Sequence, residues 1–251
     1  MKLVLVMMTL LAACPVWGQS DDSTATPTIP PKSSFRSSWI MEPGFSYAYT
    51  HLPTLHGYFR ANQVKVDKTF DRLALAAFAY RRQRFKGTLQ AFFGIDKSLL
   101  PPDKKGTSLF AQRQGVSGIT ILLGYDVANT RNKRVFINAG LGSIRYEYGL
   151  FRPSTQVVSF QNMLQYAAPG NVPSLIQTNG FWDVNVEVVQ REKRPNTFQW
   201  VSRVGYRRSF QASPWRSNAY ELVDAPKERV SQFYLQVGLY ISRNFSGRQK
   251  P

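Results

Sequence analysis

Residues 231–245, SQFYLQVGLYISRNF, carry the clearest statement of the architecture. Phe233, Leu235, Val237, Leu239 and Ile241 share one parity, and Tyr234, Gln236, Gly238, Tyr240 and Ser242 share the other. Successive side chains of a strand point to opposite faces, so this is a β-strand with one oily face and one small or polar face. A soluble barrel turns the oily face inward. A barrel in a membrane turns it toward lipid and keeps polar groups inside.

Seven more strands are expected upstream, at about 39–50, 72–81, 85–95, 116–127, 134–148, 181–190 and 197–210. In the third, Phe85, Leu89, Ala91, Phe93 and Ile95 oppose Lys86, Thr88 and Gln90. In the sixth, Trp182, Val184, Val186 and Val188 oppose Asp183, Asn185 and Glu187. In the seventh, Phe198, Trp200, Val204 and Tyr206 oppose Gln199, Arg203 and Arg207. The second, RLALAAFAYR, is apolar on both parities, so its facing stays open, and its Leu and Ala content also suits a helix. In the fifth the oily parity switches at Ile144, which implies a bulge or a strand leaving the membrane.

The connections alternate in length. Those near 82–83, 128–133 and 191–196 are short, and those at about 51–71, 96–115, 149–180 and 211–230 are long. Short turns on one side and long loops on the other are the rhythm of an up-and-down membrane barrel. The charges agree. An Asp, Glu, Lys or Arg on the lipid face near the midplane costs about 2–4 kcal/mol. The outward parities avoid all four at their centres, whereas Lys86, Asp183, Glu187, Arg203 and Arg207 fall on the inward parity. The lipid-facing set is then Phe93, Trp182, Val184, Val186, Trp200, Phe233, Leu235, Val237, Leu239 and Ile241. Aromatics are expected at both interfaces: Phe93, Trp182, Tyr206 and Phe233 outside, and Phe85, Tyr125, Phe198 and Phe245 inside.

Residues 1–18 pair a basic start with an apolar run and a small-residue end, the pattern of an export signal. Leu11-Ala12-Ala13-Cys14 also has the form of a lipobox, but cleavage after Gly18 is the preferred reading. Cys14 is the single cysteine, so no internal disulfide forms. Residues 19–38, rich in Ser, Thr and Pro, read as a flexible leader, residues 39–245 as the barrel and residues 246–251 as a tail. The net charge of +17 favours anionic partners, yet it is spread along the chain without a nucleic-acid motif.

With this pattern over residues 39–245, the chain resembles the small eight-stranded outer-membrane β-barrel proteins of Gram-negative bacteria. The likeness rests on alternation and on the aromatic end of the last strand. Arg243 and the six-residue tail depart from the family's ending. The resemblance implies an eight-stranded antiparallel up-and-down transmembrane β-barrel, with short periplasmic turns and long outer loops, in the outer membrane. It transfers no particular function.

Three groups of residues bear on function. Asp183 and Arg203 should stand nearly opposite each other in the bore, within a charge network of Lys86, Asp183, Glu187, Arg203 and Arg207 that reads as a structural filling rather than a relay, because eight strands leave room only for side chains. His51 and His56, the only histidines, lie in the first long loop, and the family's lipid-modifying members suggest Ser108, Asp103 or Asp224 as partners. No catalytic motif surrounds any of them. Basic loop residues (Arg60, Lys65, Lys68, Lys104, Lys105, Arg113, Arg216, Lys227 and Arg229) suit the phosphates of lipid A. The expected role is non-enzymatic, an envelope structural or protein-interaction function or an accessory to secretion or assembly, with outer-membrane lipid and proteins bound at the outer loops or the periplasmic turns as partners and no cofactor, metal or nucleic acid. A lipid A-modifying enzyme and a soluble periplasmic carrier are the alternatives.

Overall fold

The computed structural model describes residues 35–66, 70–94, 110–128, 130, 132–151, 174–192, 194–217 and 221–246. Eight long strands alternate apolar and polar side chains and run up and down: β1 (Phe35–His51), β2 (Phe70–Arg82), β3 (Phe85–Gly94), β4 (Phe110–Asp126), β5 (Lys133–Phe151), β6 (Ser174–Gln190), β7 (Asn196–Ser209) and β8 (Ser231–Ser246). Each pairs antiparallel with its neighbour in sequence. β1 also pairs antiparallel with β8 from Phe35 to His51, which closes the barrel and leaves no edge. Among the described residues no helix is long and apolar enough to cross a membrane. The crossing is made by strands, whose backbone groups are satisfied by neighbours.

Sidedness follows the alternation. Val184, Val237 and Leu239 are 45%, 42% and 39% exposed, while Arg203 and Glu187 are 3% and 0% exposed. The oily faces look outward, as lipid requires. Aromatic girdles bound this wall. Trp182 meets Tyr206 edge to face and Tyr206 meets Phe233 at a tilt at the outer end, with ring centroids 5.4 and 4.5 Å apart. Trp39 with Tyr80, and Phe85 with Tyr125, lie at the inner end, 4.8 and 5.1 Å apart.

Several boundaries differ from the sequence reading. β1 begins at Phe35, inside the stretch 19–38 read as a leader, because Ser38 faces the bore and hydrogen-bonds Arg81 and Asn244. A short serine run is as suited to a polar bore as to a linker. β4 and β6 begin earlier than 116 and 181, so their upper ends rise above the apolar band. The ambiguous second strand turns Leu73, Leu75, Ala77, Ala79 and Arg81 inward, and Phe78 and Tyr80 outward.

β5 carries no bulge at the parity switch. Its register with β6 runs unbroken from Lys133 to Gly149, and Ile144, Tyr146 and Tyr148 face inward like Phe136 and Asn138 below them. The outward positions there become Ser143, Arg145 and Glu147, so the strand has left the membrane. The irregularity lies instead on β4, between Arg113 and Gly115.

The first long loop contains a helix, α1 (Pro53–Ala61), started by Pro53 at its first turn and burying Leu55 and Phe59. The fourth folds down as well, with Ser213–Pro214 pairing with Lys227–Glu228, and Arg216–Ser217 pairing with the upper end of β6. The tail beyond Ser246 and most of the third loop lie outside the described residues.

Candidate functional site

Among the described residues the middle of the bore holds a closed square of charge. Glu42 on β1, Lys86 on β3, Glu187 on β6 and Arg203 on β7 each project inward. Lys86 Nζ donates to Glu42 and to Glu187. Arg203 Nη2 donates to Glu42 Oε2 at 2.7 Å and to Glu187 Oε2 at 2.6 Å. Two cations and two carboxylates alternate, so each charge touches two of the opposite sign and the net charge is zero. Gln90 and Gln236 accept from Arg203 Nη1 at 2.8 and 3.1 Å. Lys86 also stands over the rings of Phe136 and Tyr240 at 5.4 and 5.3 Å. Charges buried at 3% exposure or less persist only when paired and hydrogen-bonded in this way.

Asp183 and Arg207 form a second pair one step toward the outer end. Arg207 Nε donates to Asp183 Oδ2 at 2.6 Å, and the Tyr234 hydroxyl donates to Asp183 Oδ1 at 2.7 Å. The Arg207 guanidinium lies between the rings of Phe92 and Tyr234, at 4.3 and 4.1 Å. The sequence-based partnering of Asp183 with Arg203 is therefore corrected. The register sets Asp183 against Arg207, and Glu187 against Arg203. The shift arises in the turn. Pairing of β6 with β7 stops at Val189 and Val201, and residues 196–200 pair with β8 alone. The connection is longer than a tight turn because Glu192 folds into the bore.

Glu192 organises the inner mouth. Arg134 Nε meets it at 2.9 Å, Arg81 Nε lies 3.4 Å away, and the Tyr240 hydroxyl donates to it at 3.0 Å. Arg134 Nη1 also reaches Asp126 at 2.9 Å. Burial pushes the Glu192 carboxyl up, but Arg81 and Arg134 outweigh burial and hold it below the usual carboxylate range. Ile40, Ala79, Phe136, Val189, Val201 and Tyr240 pack between this cluster and the central square.

The outer end is closed by the loops. Leu55 and Phe59 of α1 pack with Tyr146, Tyr148, Trp215 and Val230 over Leu73, Leu75 and Phe92. The edge of Trp215 meets the Tyr148 ring at 5.7 Å. Glu228, from the fourth loop, accepts from the Leu55 N–H at 2.7 Å and so caps the start of α1. Its carboxyl is nearly inaccessible, and burial raises it above its ordinary range against the opposing hydrogen bonds at α1. Beneath α1, the Gln232 amide donates to Thr50 and to Tyr146 at 3.1 Å each. A small cavity, about 10 Å³ beside Glu42, Arg203 and Gln236, has room for about one water. A groove of about 370 Å³ lies on the outer wall instead, where Gly87 and Ala139 leave a dent between Tyr80, Phe85 and Tyr125.

The candidate histidines lie apart, one on the barrel wall and one in the first loop's helix. His51 ends β1 on the outward parity, beside Ser231 of β8. His56 sits in α1, partly buried in the plug. Asp224 is exposed in the fourth loop, while Ser108 and Asp103 lie outside the described residues. Among the described residues no three His, Cys, Asp or Glu side chains are arranged to hold a metal ion. Of the basic loop residues, Arg60, Arg216, Lys227 and Arg229 are exposed. Lys68, Lys104 and Lys105, and the side chains of Lys65 and Arg113, are outside the described set. Sequence reasoning missed Glu42, although it continues the inward parity of Gly44, Ser46 and Ala48. It also missed Glu192, for which a turn position carries no parity signal.

Fold and bore together define a closed, plugged, eight-stranded transmembrane β-barrel of the outer-membrane type. No protein-family model and no curated protein matches the chain. Solved structures of similar fold include a major outer membrane protein from Thermus thermophilus, with a TM-score of 0.48 and 11% identity over 83% of this chain and 99% of that one. Ail, the attachment invasion locus protein of Yersinia pestis, in complex with the heparin analogue sucrose octasulfate, matches with a TM-score of 0.41 and 9% identity over 82% and 99% of the two chains. The outer membrane protein OprG of Pseudomonas aeruginosa matches with a TM-score of 0.43 and 12% identity over 86% and 99%.

Proposed function

We propose that this chain is exported by its first 18 residues and inserted in the outer membrane of a Gram-negative bacterium. There it serves as a non-enzymatic envelope structural or interaction protein that works through its outer face. One observation carries this reading: among the described residues the middle of the bore is occupied by paired charges, with apolar clusters packed on its inner and outer sides. A barrel without a passage neither conducts nor carries an apolar guest in its lumen, so its chemistry is left to its surface. The network of Lys86, Asp183, Glu187, Arg203 and Arg207 is, on this reading, structural. It fixes the register of facing strands and fills the lumen.

Bilayer conductance tests the reading. Purified protein whose gel mobility shifts on heating, the mark of a closed barrel, is expected to leave a planar membrane at background conductance. Stable steps of current from that material would refute a sealed bore. A lipid A-modifying activity through His51 is the second reading, favoured only by the position of that histidine at the outer interface. Lipid A from a deletion strain is expected to have an unchanged mass spectrum, and a lost modification would favour the enzyme.

A further inference from the structure

We propose that Arg208, Arg229 and His51 form, around Ser231, a binding site on the barrel's outer wall for the phosphate group of an outer-leaflet lipid. The register places them. His51 stands opposite Ser231, and Ser231 stands opposite Arg208. Neighbouring strands lie about 4.7–4.9 Å apart, so Arg208 and His51 flank Ser231 at about 10 Å from each other. Arg229 lies two residues before Ser231, just ahead of β8, where the Ser209 N–H donates to the Val230 carbonyl at 2.9 Å and continues the pairing with β7, so it falls roughly 7 Å up the wall from Ser231. Its Nη2 donates to the Phe210 carbonyl at 2.7 Å, which ties the guanidinium to the wall beside Arg208 and leaves its other donors for a ligand. Arg208, Arg229 and His51 are exposed, and Ser231 is half-buried.

Height on the wall identifies the ligand as a lipid. One row below, on the same outward face, Tyr49, Phe233 and Tyr206 are cross-strand neighbours, while Trp182, which stands opposite Arg208 in the register, leans down on Tyr206. That aromatic ledge marks the interface between hydrocarbon and headgroups. The next row up is where headgroup phosphates lie. A guanidinium fork matches two phosphate oxygens at once, and a hydroxyl and an imidazole add further donors. No carboxylate shares this outward face among the described neighbours: Asp71 and Glu228 point into the bore. An acyl chain below the phosphate would run down the apolar wall past Val184, Val204 and Leu235.

This site rests on the membrane reading above, and its test separates the two. The protein is reconstituted in phosphatidylcholine vesicles containing phosphorylated lipid A, re-extracted in mild detergent, and weighed by native mass spectrometry. The wild type is expected to retain lipid A. R208Q/R229Q is expected to retain about 30-fold less, the loss of two cations at a charged membrane surface. Dephosphorylated lipid A is expected to drop as far with the wild type. R82Q/K133Q, which removes the same charge from exposed positions at the inner end of the barrel, should retain lipid normally. Equal retention by R208Q/R229Q, an equal loss in R82Q/K133Q, or indifference to the phosphate would overturn the site. Displacement by millimolar inorganic phosphate would overturn the lipid assignment in favour of a free-anion site. Heat-modifiable mobility verifies that each variant is a closed barrel, and H51Q/S231A, with a smaller loss expected, serves if the double arginine variant does not fold. A wild type that fails to insert at all would count against the membrane reading instead.

Discussion

Replacing Arg203 by Met removes the cation that touches both Glu42 and Glu187. Two carboxylates then share Lys86 alone, and the square goes from neutral to one net negative charge in a region 3% exposed or less. Removing one partner of a buried pair costs about 3–5 kcal/mol, mostly through the charge left behind. Gln90 and Gln236 also lose their donor. In the double variant R203M/E187Q one cation and one carboxylate disappear together, and Lys86 keeps Glu42. The double is expected to be more stable than the sum of its single variants by about 1–3 kcal/mol. The assay is urea unfolding in lipid vesicles, followed by tryptophan fluorescence and heat-modifiable mobility. Additive costs, or an Arg203→Met variant within about 0.5 kcal/mol of wild type, would refute the idea that the four charges act as one unit.

Leu239→Arg, on the lipid face, is expected to cost about 2–4 kcal/mol in the same unfolding assay, whereas a change confined to the outer loops should cost little. Glu228 has a raised folded-state pKa, so its stabilisation is full below the unfolded value near 4.3 and is lost as pH rises through the folded value. The protection factors of the α1 amides, which divide out the intrinsic pH dependence of exchange, should therefore be larger at acidic than at neutral pH, and E228Q, which keeps the acceptor for Leu55, should flatten that dependence. Glu192 runs the other way. Its depressed carboxyl contributes stability above the ordinary range near 4.3 that disappears as pH falls through the folded value, so acid should loosen the connection between β6 and β7, and E192Q should remove that acid limb.

Alternation along single strands made the architecture legible. Val237, Leu239 and Val184 on one parity, against Gln236, Tyr240 and Asp183 on the other, state which face meets lipid, because a one-residue slip would put every charge in hydrocarbon. The alternation of short and long connections set the up-and-down order. Helix α1 was not legible. Its sequence, PTLHGYFRA, is too short to hold a helix alone, and it is helical because Leu55 and Phe59 have a bore mouth to fill and Glu228 caps the Leu55 N–H.

Apart from the second strand, apolar on both parities, whose facing only the structure decided, the strands, their facing and the presence of ionised residues inside can be read from the chain, because each depends only on a two-residue period that is visible locally. Which charges meet is a matter of closure. Glu42 and Glu187 are far apart in the chain, and both reach Arg203 because the closed barrel brings β1, β6 and β7 around one axis. Likewise, Arg208, Ser231 and His51 became one patch only through the register of β7, β8 and β1. Register is set by turn lengths and by what folds into the bore, as Glu192 does, and no local pattern encodes that.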